Sequence, residues 1–238
     1  MHARVSIGDP TRALPKVVLV HGLGVSSHYM VPTAQQLAPH CSVYAPDLPG
    51  FGKSDHPRQV LDVPGMADAL HGWMDEAGLS RATILGNSMG SQVAVDLAIR
   101  YPERVEGLVL TGLTFDRRAR ASIVSLLTRV LLDSPWEPRS LSPIIVTDYL
   151  SAGLLRVIVT LRHGLRDPIE EKLPRVEAPT LVVRGEHDSV VPRPWAIYAT
   201  RLLRNARFVE IAGASHAVNF SAAGKLASIV LPFLSEVG

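Results

Sequence analysis

The chain has 238 residues, 47% of them apolar, with 24 Lys and Arg against 22 Asp and Glu for a net charge of +2. That is enough chain for one large α/β domain with a sizeable core, and the composition is globular rather than disordered. The near-balanced charge, without a basic–aromatic cluster, gives no case for nucleic acid or an anionic membrane as a partner, which leaves a small-molecule substrate as the expectation.

The N-terminal Met1 to Ser6 lacks the apolar stretch of a signal peptide, and no uncharged apolar run approaches membrane-spanning length, so a soluble cytoplasmic protein is expected. Cys41 is the sole cysteine, which excludes an intrachain disulfide and reads as a small buried apolar side chain. No Cys/His cluster has metal-ligand spacing, and no metal or other cofactor is expected.

Lys16 to Val20 reads as an apolar, β-branched strand ending at His21-Gly22-Leu23-Gly24. Residues 27 to 38 read as a helix, and Ser42 to Ala45 as a short strand running into Asp47-Leu48-Pro49-Gly50-Phe51-Gly52-Lys53-Ser54. A helix is expected over 63 to 77, ended by Gly78. Ala82-Thr83-Ile84-Leu85 then forms a strand that meets Gly86-Asn87-Ser88-Met89-Gly90. A helix with Val93, Ala94, Leu97, Ala98 and Tyr101 at helical spacing follows, and Pro102 stops it. The pentapeptide has the form G-x-S-x-G, which arises by chance in roughly one random chain of this composition in ten, so its strand–turn–helix context carries the reading. A sharp turn there holds the serine hydroxyl out beside a helix N-terminus, where a nucleophile is reachable and an oxyanion is stabilised. The competing use of such a serine is an ordinary helix N-cap.

Gly107 to Leu110 gives another strand, after which the strand–helix alternation breaks from about residue 113 to 175. Residues 121 to 132 and 143 to 166 look helical, which makes this stretch a helical insertion. It carries ten Lys or Arg and seven acids, a surplus better explained by solvated arginines than by an anionic substrate. Its apolar Leu126, Leu127, Val130 and Ile145 read as core. Alternation resumes with a strand over Thr180 to Arg184, a helix at about 193 to 203, a last strand over Arg207 to Ile211, and a helix over 219 to 236 kinked at Pro232. The whole predicts an α/β fold, a mostly parallel sheet with helices on both faces.

A serine hydroxyl needs a base, and the base needs an orienting group. Asp188 and His216 follow the last two strands and so emerge at the carboxyl edge beside Ser88, where open parallel sheets bind ligands. Asp116 is the rival acid; His28, His163 and His187 are rival histidines near the pocket.

The order Ser, Asp, His, the elbow, His21-Gly22 after the first parallel strand, and the Asp47-to-Ser54 turn together resemble the α/β-hydrolase superfamily. The resemblance spans nearly the whole chain and implies a core of residues 1–112 and 176–238 with a helical cap over 113–175. It implies Ser88 as nucleophile, His216 as general base and acid, and Asp188 as the group that orients His216. The Met89 N–H and that of Leu23, with Gly24 as second choice, would form the oxyanion hole. His21 would fix its loop rather than carry protons. Asn87 would either line the pocket or hold the turn. Serine hydrolysis of a carboxylic ester with a small or medium acyl group is the implied reaction, without a cofactor.

Thioesterase and lactonase activity share these motifs. Hydrolases that cleave carbon–carbon bonds in ring-opened aromatic diketones carry a similar elbow, although many place Trp after the catalytic His, where this chain has Ala217. Dehalogenases and epoxide hydrolases of the superfamily use Asp where Ser88 stands. A non-catalytic binding protein is the alternative from another class, at odds with a candidate being present for every role.

Overall fold

Runs of β-branched and aliphatic residues without polar alternation bury both faces of a strand, and such strands dominate this chain. In the computed structural model, which describes residues 1–6, 14–114, 116 and 123–238, they form one seven-stranded sheet. The strands are β1 (Ala3–Val5), β2 (Lys16–Val20), β3 (Ser42–Pro46), β4 (Ala82–Asn87), β5 (Val105–Thr111), β6 (Thr180–Gly185) and β7 (Ala206–Ile211). Their order is β1-β3-β2-β4-β5-β6-β7, parallel throughout except that β1 runs antiparallel to β3. The fold is thus the expected mostly parallel α/β sheet. The edge strand β1 is an addition to the sequence reading: three residues, partly exposed, carry too little pattern to announce a strand.

Helices α1 (Val31–Leu37), α2 (Val63–Glu76) and α3 (Met89–Arg100) connect the first strands. Between β5 and β6 come α4 (Ile123–Asp133), α5 (Ser142–Ala152), α6 (Leu154–Arg166) and α7 (Ile169–Lys172). Helices α8 (Arg193–Leu202), α9 (Val218–Ser221) and α10 (Ala223–Val237) complete the chain. Strand alternation decides which helices cover which face. Val18, Val20, Ile84, Leu110 and Val182 pack with α2, α3 and α8 in one buried cluster. Val17, Leu19, Leu85, Val109 and Val183 face the other way, against α1 and α10. Fully burying one such side chain contributes about 1.5–3 kcal/mol, so truncating any of them to Ala opens a costly cavity.

Two helical expectations are corrected. Residues 143–166 are not one helix: the chain bends by 97° between α5 and α6, at Gly153, whose φ of +79° suits glycine. The expected helix over 219–236 is divided at Ala222 (φ −133°), and Pro232 lies inside α10. Among the described residues no single helix is long and apolar enough to cross a membrane.

The inserted helices rest on the core through specific side-chain contacts. Val157, Thr160 and Gly164 form the buried stripe of α6. Lys172 of α7, within the insertion, pairs with Asp96 of α3 and with Asp167, and Gln92 of α3 donates to the Gly164 carbonyl at 2.9 Å. Leu126 is buried and Ile145 packs against the second cluster, but Val130 is 48% exposed, so that part of the expected insertion core faces solvent. The Leu127 side chain lies outside the described residues.

Candidate active site

The turn from β4 into α3 forces Ser88 to φ +56° and ψ −122°, and Ser88 has the only positive φ among the described non-glycine residues. Such a conformation costs on the order of 1–3 kcal/mol and persists only where the surroundings impose it. The imposing contacts are visible. A Cβ on Gly86 would run into the Gly90 carbonyl, and one on Gly90 would run into the Val20 and His21 carbonyls. The Ser88 N–H donates to the Thr111 carbonyl at 2.9 Å, and Ser91 Oγ ties the Gly86 carbonyl at 2.9 Å. Ser88 makes no side-chain cap to α3, so the N-cap alternative does not describe it. Its Oγ forms no hydrogen bond among the described residues and its side chain is partly open to solvent.

His216 and Asp188 meet. His216 Nδ1 lies 2.9 Å from Asp188 Oδ2. Asp188 is buried, and its other oxygen accepts the Val191 N–H at 2.8 Å, so the carboxylate cannot swing away. The Arg184 guanidinium grips the same turn by donating to the Asp188 carbonyl at 2.7 Å. Burial works against a charged imidazole, but the Asp188 charge and hydrogen bond, reinforced by Asp133 and Glu137, outweigh it and raise the His216 pKa to about 9. The ring lies across Gly112, where a Cβ would come within 2.7 Å of His216 Cε1. Gly112 directly follows Thr111, the acceptor of the Ser88 N–H, so Ser88, His216 and Asp188 gather at the carboxyl ends of β4 to β7.

The loop after β2 completes the surroundings of Ser88. A Cβ on Gly22 would come within 3.2 Å of Ser88 Cβ, which places the neighbouring Leu23 and Gly24 beside the elbow. Neither the Leu23 nor the Met89 N–H donates to another group among the described residues. For Met89 this follows from its place at the start of α3, where N–H groups have no intrahelical acceptor. His21 fixes the loop: its Nδ1 bonds the Gly22 carbonyl at 2.8 Å and its Nε2 accepts the Leu48 N–H at 2.9 Å. Burial lowers its pKa, keeping it neutral in that role. Asp47 organises the next turn, accepting from the Ser27 and Lys53 N–H groups and from His2. Phe51 packs edge-on against His21 at 5.7 Å.

Asn87 is buried and committed: it accepts from Tyr29 Oη at 3.1 Å and donates to Thr111 Oγ1 and to the His216 carbonyl. The rival acid Asp116 is paired with Arg129 at 2.8 Å. Of the rival histidines, His163 bonds the Leu61 carbonyl and His187 stacks on Trp136 at 3.7 Å. Cys41 is buried and burial pushes its thiol to about 11. Among the described residues no group of three or more His, Cys, Asp or Glu is placed to hold a metal ion. A surface cavity of 270 Å³ between His2, Ser26, Asp47 and Asp148 contains neither Ser88 nor His216.

Sequence reasoning missed the residues that the insertion brings in. Tyr149 of α5 lies against Gly24, where its ring fills the space a Cβ would need, and Asp148 accepts from Ser26 Oγ at 2.7 Å. Asp133 and Glu137 accept backbone N–H groups of the His216 loop. No local motif marks such residues; their roles exist only once the insertion folds back.

Residues 17–229 match the alpha/beta hydrolase family. A pimeloyl-[acyl-carrier protein] methyl ester esterase of Neisseria meningitidis serogroup C is 28% identical over 251 aligned positions, covering 94% of this chain and 95% of that protein. An abhydrolase domain-containing protein of Caenorhabditis elegans is 36% identical over 98 residues, 40% of this chain and only 22% of that protein. Among solved structures, a thermophilic esterase from Thermogutta terrifontis has a TM-score of 0.82 at 24% identity, covering 99% of this chain and 93% of that one. The 2-hydroxy-6-oxo-6-phenylhexa-2,4-dienoate hydrolase of Rhodococcus sp. strain RHA1 has a TM-score of 0.76 at 26% identity, covering 97% and 93%.

Proposed function

The chain belongs to the alpha/beta hydrolase family, and from that premise we propose that it is a serine hydrolase cleaving carboxylic esters of small or medium acyl groups through an acyl-enzyme. The observation that carries this reading is the strained Ser88 at the β4–α3 turn beside a His216–Asp188 pair whose Nδ1 is engaged, which leaves Nε2 for proton transfer. Ser88 Oγ bonds to the ester carbonyl carbon while His216 Nε2 takes its proton. The carbonyl oxygen, now an oxyanion, accepts from the Met89 and Leu23 N–H groups; one such donor is worth about 3 kcal/mol of the barrier. The bond to the leaving oxygen then breaks, and His216 gives that oxygen the proton, releasing an alcohol. Water repeats the sequence on the acyl-Ser88 ester, with its proton passing through His216 to Ser88 Oγ, releasing the carboxylic acid.

In this reading Asp188 holds His216 in one tautomer, and residues 113–175 act as a cap over a core of residues 1–112 and 176–238. Tyr149 then stands where the acyl or alcohol group enters, against Gly24. Asn87 ties the elbow to the His216 loop and is a positioning group rather than a substrate contact. The relative named as a methyl ester esterase supports an ester as the bond cleaved.

A serine-reactive fluorophosphonate should add one probe mass to the protein and none to Ser88→Ala. No mass gain, or equal labelling of the variant, sinks the nucleophile assignment. A parallel screen of short and medium p-nitrophenyl esters beside a lactone and a ring-opened aromatic diketone should show the esters turned over fastest; faster turnover of the diketone would move the reaction to carbon–carbon cleavage.

A further inference from the structure

We propose that Asp133 and Glu137 are positioning residues for His216, holding its loop by backbone N–H groups while one proton is shared between their two carboxyls. Asp133 ends α4 and Glu137 follows one turn later, so both belong to the inserted helices rather than to the sheet edge that carries Ser88. The proposal rests on His216 being the base of the proposed reaction.

The geometry joins two strand-end loops to one pair of acids. Asp133 Oδ1 accepts the Ser189 N–H at 3.1 Å, from the loop that carries Asp188. Both Asp133 oxygens accept the His216 N–H at 3.3 Å. Glu137 Oε1 accepts the Ala217 N–H at 2.8 Å. The loops after β6 and β7 are thereby fastened to a common anchor, which keeps Asp188 and His216 in register with each other.

The chemistry of the pair follows from burial. Asp133 is 4% exposed, and Glu137 Oε2 is buried without a hydrogen-bond partner. An ionised oxygen left in that position would bear an uncompensated desolvation cost beside a second carboxylate. A proton on Glu137 Oε2, donated to Asp133, removes both the orphan atom and the repulsion. Consistently, burial first and then the Asp133 neighbour raise the Glu137 pKa to about 7, against the Ala217 N–H, which lowers it. The other titratable groups around the pair are His216 from the loop after β7, which feels both acids and Asp188, and Tyr29 from the turn before α1, whose hydroxyl feels Glu137 and Asp133 more than Asp188; His187 of the loop after β6 stacks on Trp136, the neighbour of Glu137. When Glu137 ionises it adds a negative charge near His216 and strengthens the hold of the imidazole on its proton.

The test uses the full chain, with Glu137→Gln and Glu137→Leu. Gln keeps an oxygen for Ala217 and supplies an N–H to Asp133, as protonated Glu137 does; Leu keeps the bulk and loses both. The His216 ring is titrated by NMR, and kcat and KM for a p-nitrophenyl ester are measured from pH to pH. In Glu137→Gln, His216 should titrate about one pH unit lower than in the parent, with the acid limb of the rate profile moving alongside and the plateau kcat within about threefold. In Glu137→Leu, kcat should fall about tenfold or more with KM nearly constant, because the Ala217 N–H loses its acceptor and the loop its anchor. An unmoved His216 titration in Glu137→Gln overturns the proposal, as does a Gln variant as slow as the Leu variant. Should the Leu variant not fold, the Gln titration decides alone. A parent without esterase activity would defeat the functional reading, while the NMR titration would still decide the shared proton.

Discussion

The sheet edge and the inserted helices approach the same site by different means. The edge presents Ser88, the His21–Gly24 loop and the Asp188 turn through main-chain contacts so close that Gly86 and Gly90 admit no side chain. Among the described residues the insertion reaches the site through side-chain ends, among them Tyr149 against Gly24, Asp148 on Ser26, and Asp133 and Glu137 on the His216 loop. Strands β2, β4 and β6 are almost wholly buried, whereas the insertion leaves Leu131, Leu150, Leu154 and Leu155 more than 70% exposed. Backbone geometry, held by a packed sheet, sets where the reaction can occur. The insertion reaches that geometry from outside, through side chains alone in the contacts named above.

The largest expected effect breaks the edge at its apex. Ser88→Gly should abolish ester turnover, a loss of about 10⁴-fold or more, while stabilising the fold by about 1 kcal/mol, because glycine adopts φ +56° without strain. Activity and the urea midpoint are the readouts. A destabilised Ser88→Gly would mean that the turn is not strained.

Asp188→Asn comes next. It keeps the shape, but with the amide oxygen held by the Val191 N–H it turns an N–H donor toward His216 Nδ1, and kcat should fall about 10³- to 10⁴-fold. The Val191 N–H keeps an oxygen acceptor, so the thermal midpoint should move far less than the rate. A loss under tenfold would transfer the orienting role to another acid.

How much of this contrast was legible in the sequence follows the same divide. The elbow, the His-Gly loop and the strand-end Asp188 and His216 are local signals, because a parallel sheet places every strand's carboxyl end on one edge. Strand β1 was not legible, since Ala3 to Val5 is held by pairing with Tyr44 to Pro46 rather than by any pattern of its own. The bend at Gly153 had a glycine to announce it, but the apolar runs on either side read through it as one helix. The break at Ala222 had no sequence signal. Asp133, Glu137 and Tyr149 could not be found because their partners lie across the chain: Glu137 meets Ala217 some 80 positions away.

Acid–base behaviour sharpens the comparison, because His216 and Glu137, one from each region, both bind protons more tightly when folded. His216 is raised from 6.5 to about 9 and Glu137 from 4.5 to about 7. Raised folded values mean that the stability they contribute is full below the unfolded values and is lost as pH rises through the folded ones. The urea midpoint should therefore fall between about pH 5 and pH 9, with the His216 part alone worth at most about 3 kcal/mol. Activity should run the opposite way, rising toward pH 9 as His216 becomes the neutral base. A midpoint flat over that range would show that neither proton is held by the fold.

The smallest expected effect falls on Asp116, which follows β5 as Asp188 follows β6 and so competes with it on position alone. Its carboxylate faces Arg129 of α4 in a two-pronged pair, Nη1 to Oδ1 at 2.8 Å and Nη2 to Oδ2 at 3.2 Å. That pair fastens the start of the insertion to its first described helix and does not reach His216. Asp116→Asn should leave kcat and KM within about twofold while costing about 1–2 kcal/mol of stability, because the partly buried guanidinium loses its charged acceptor. The result separates the two regions cleanly. A stability loss without a rate loss places Asp116 among the contacts that hold the insertion, whereas a rate loss matching that of Asp188→Asn would place the orienting acid after β5 and undo the pairing of Asp188 with His216 as the working one.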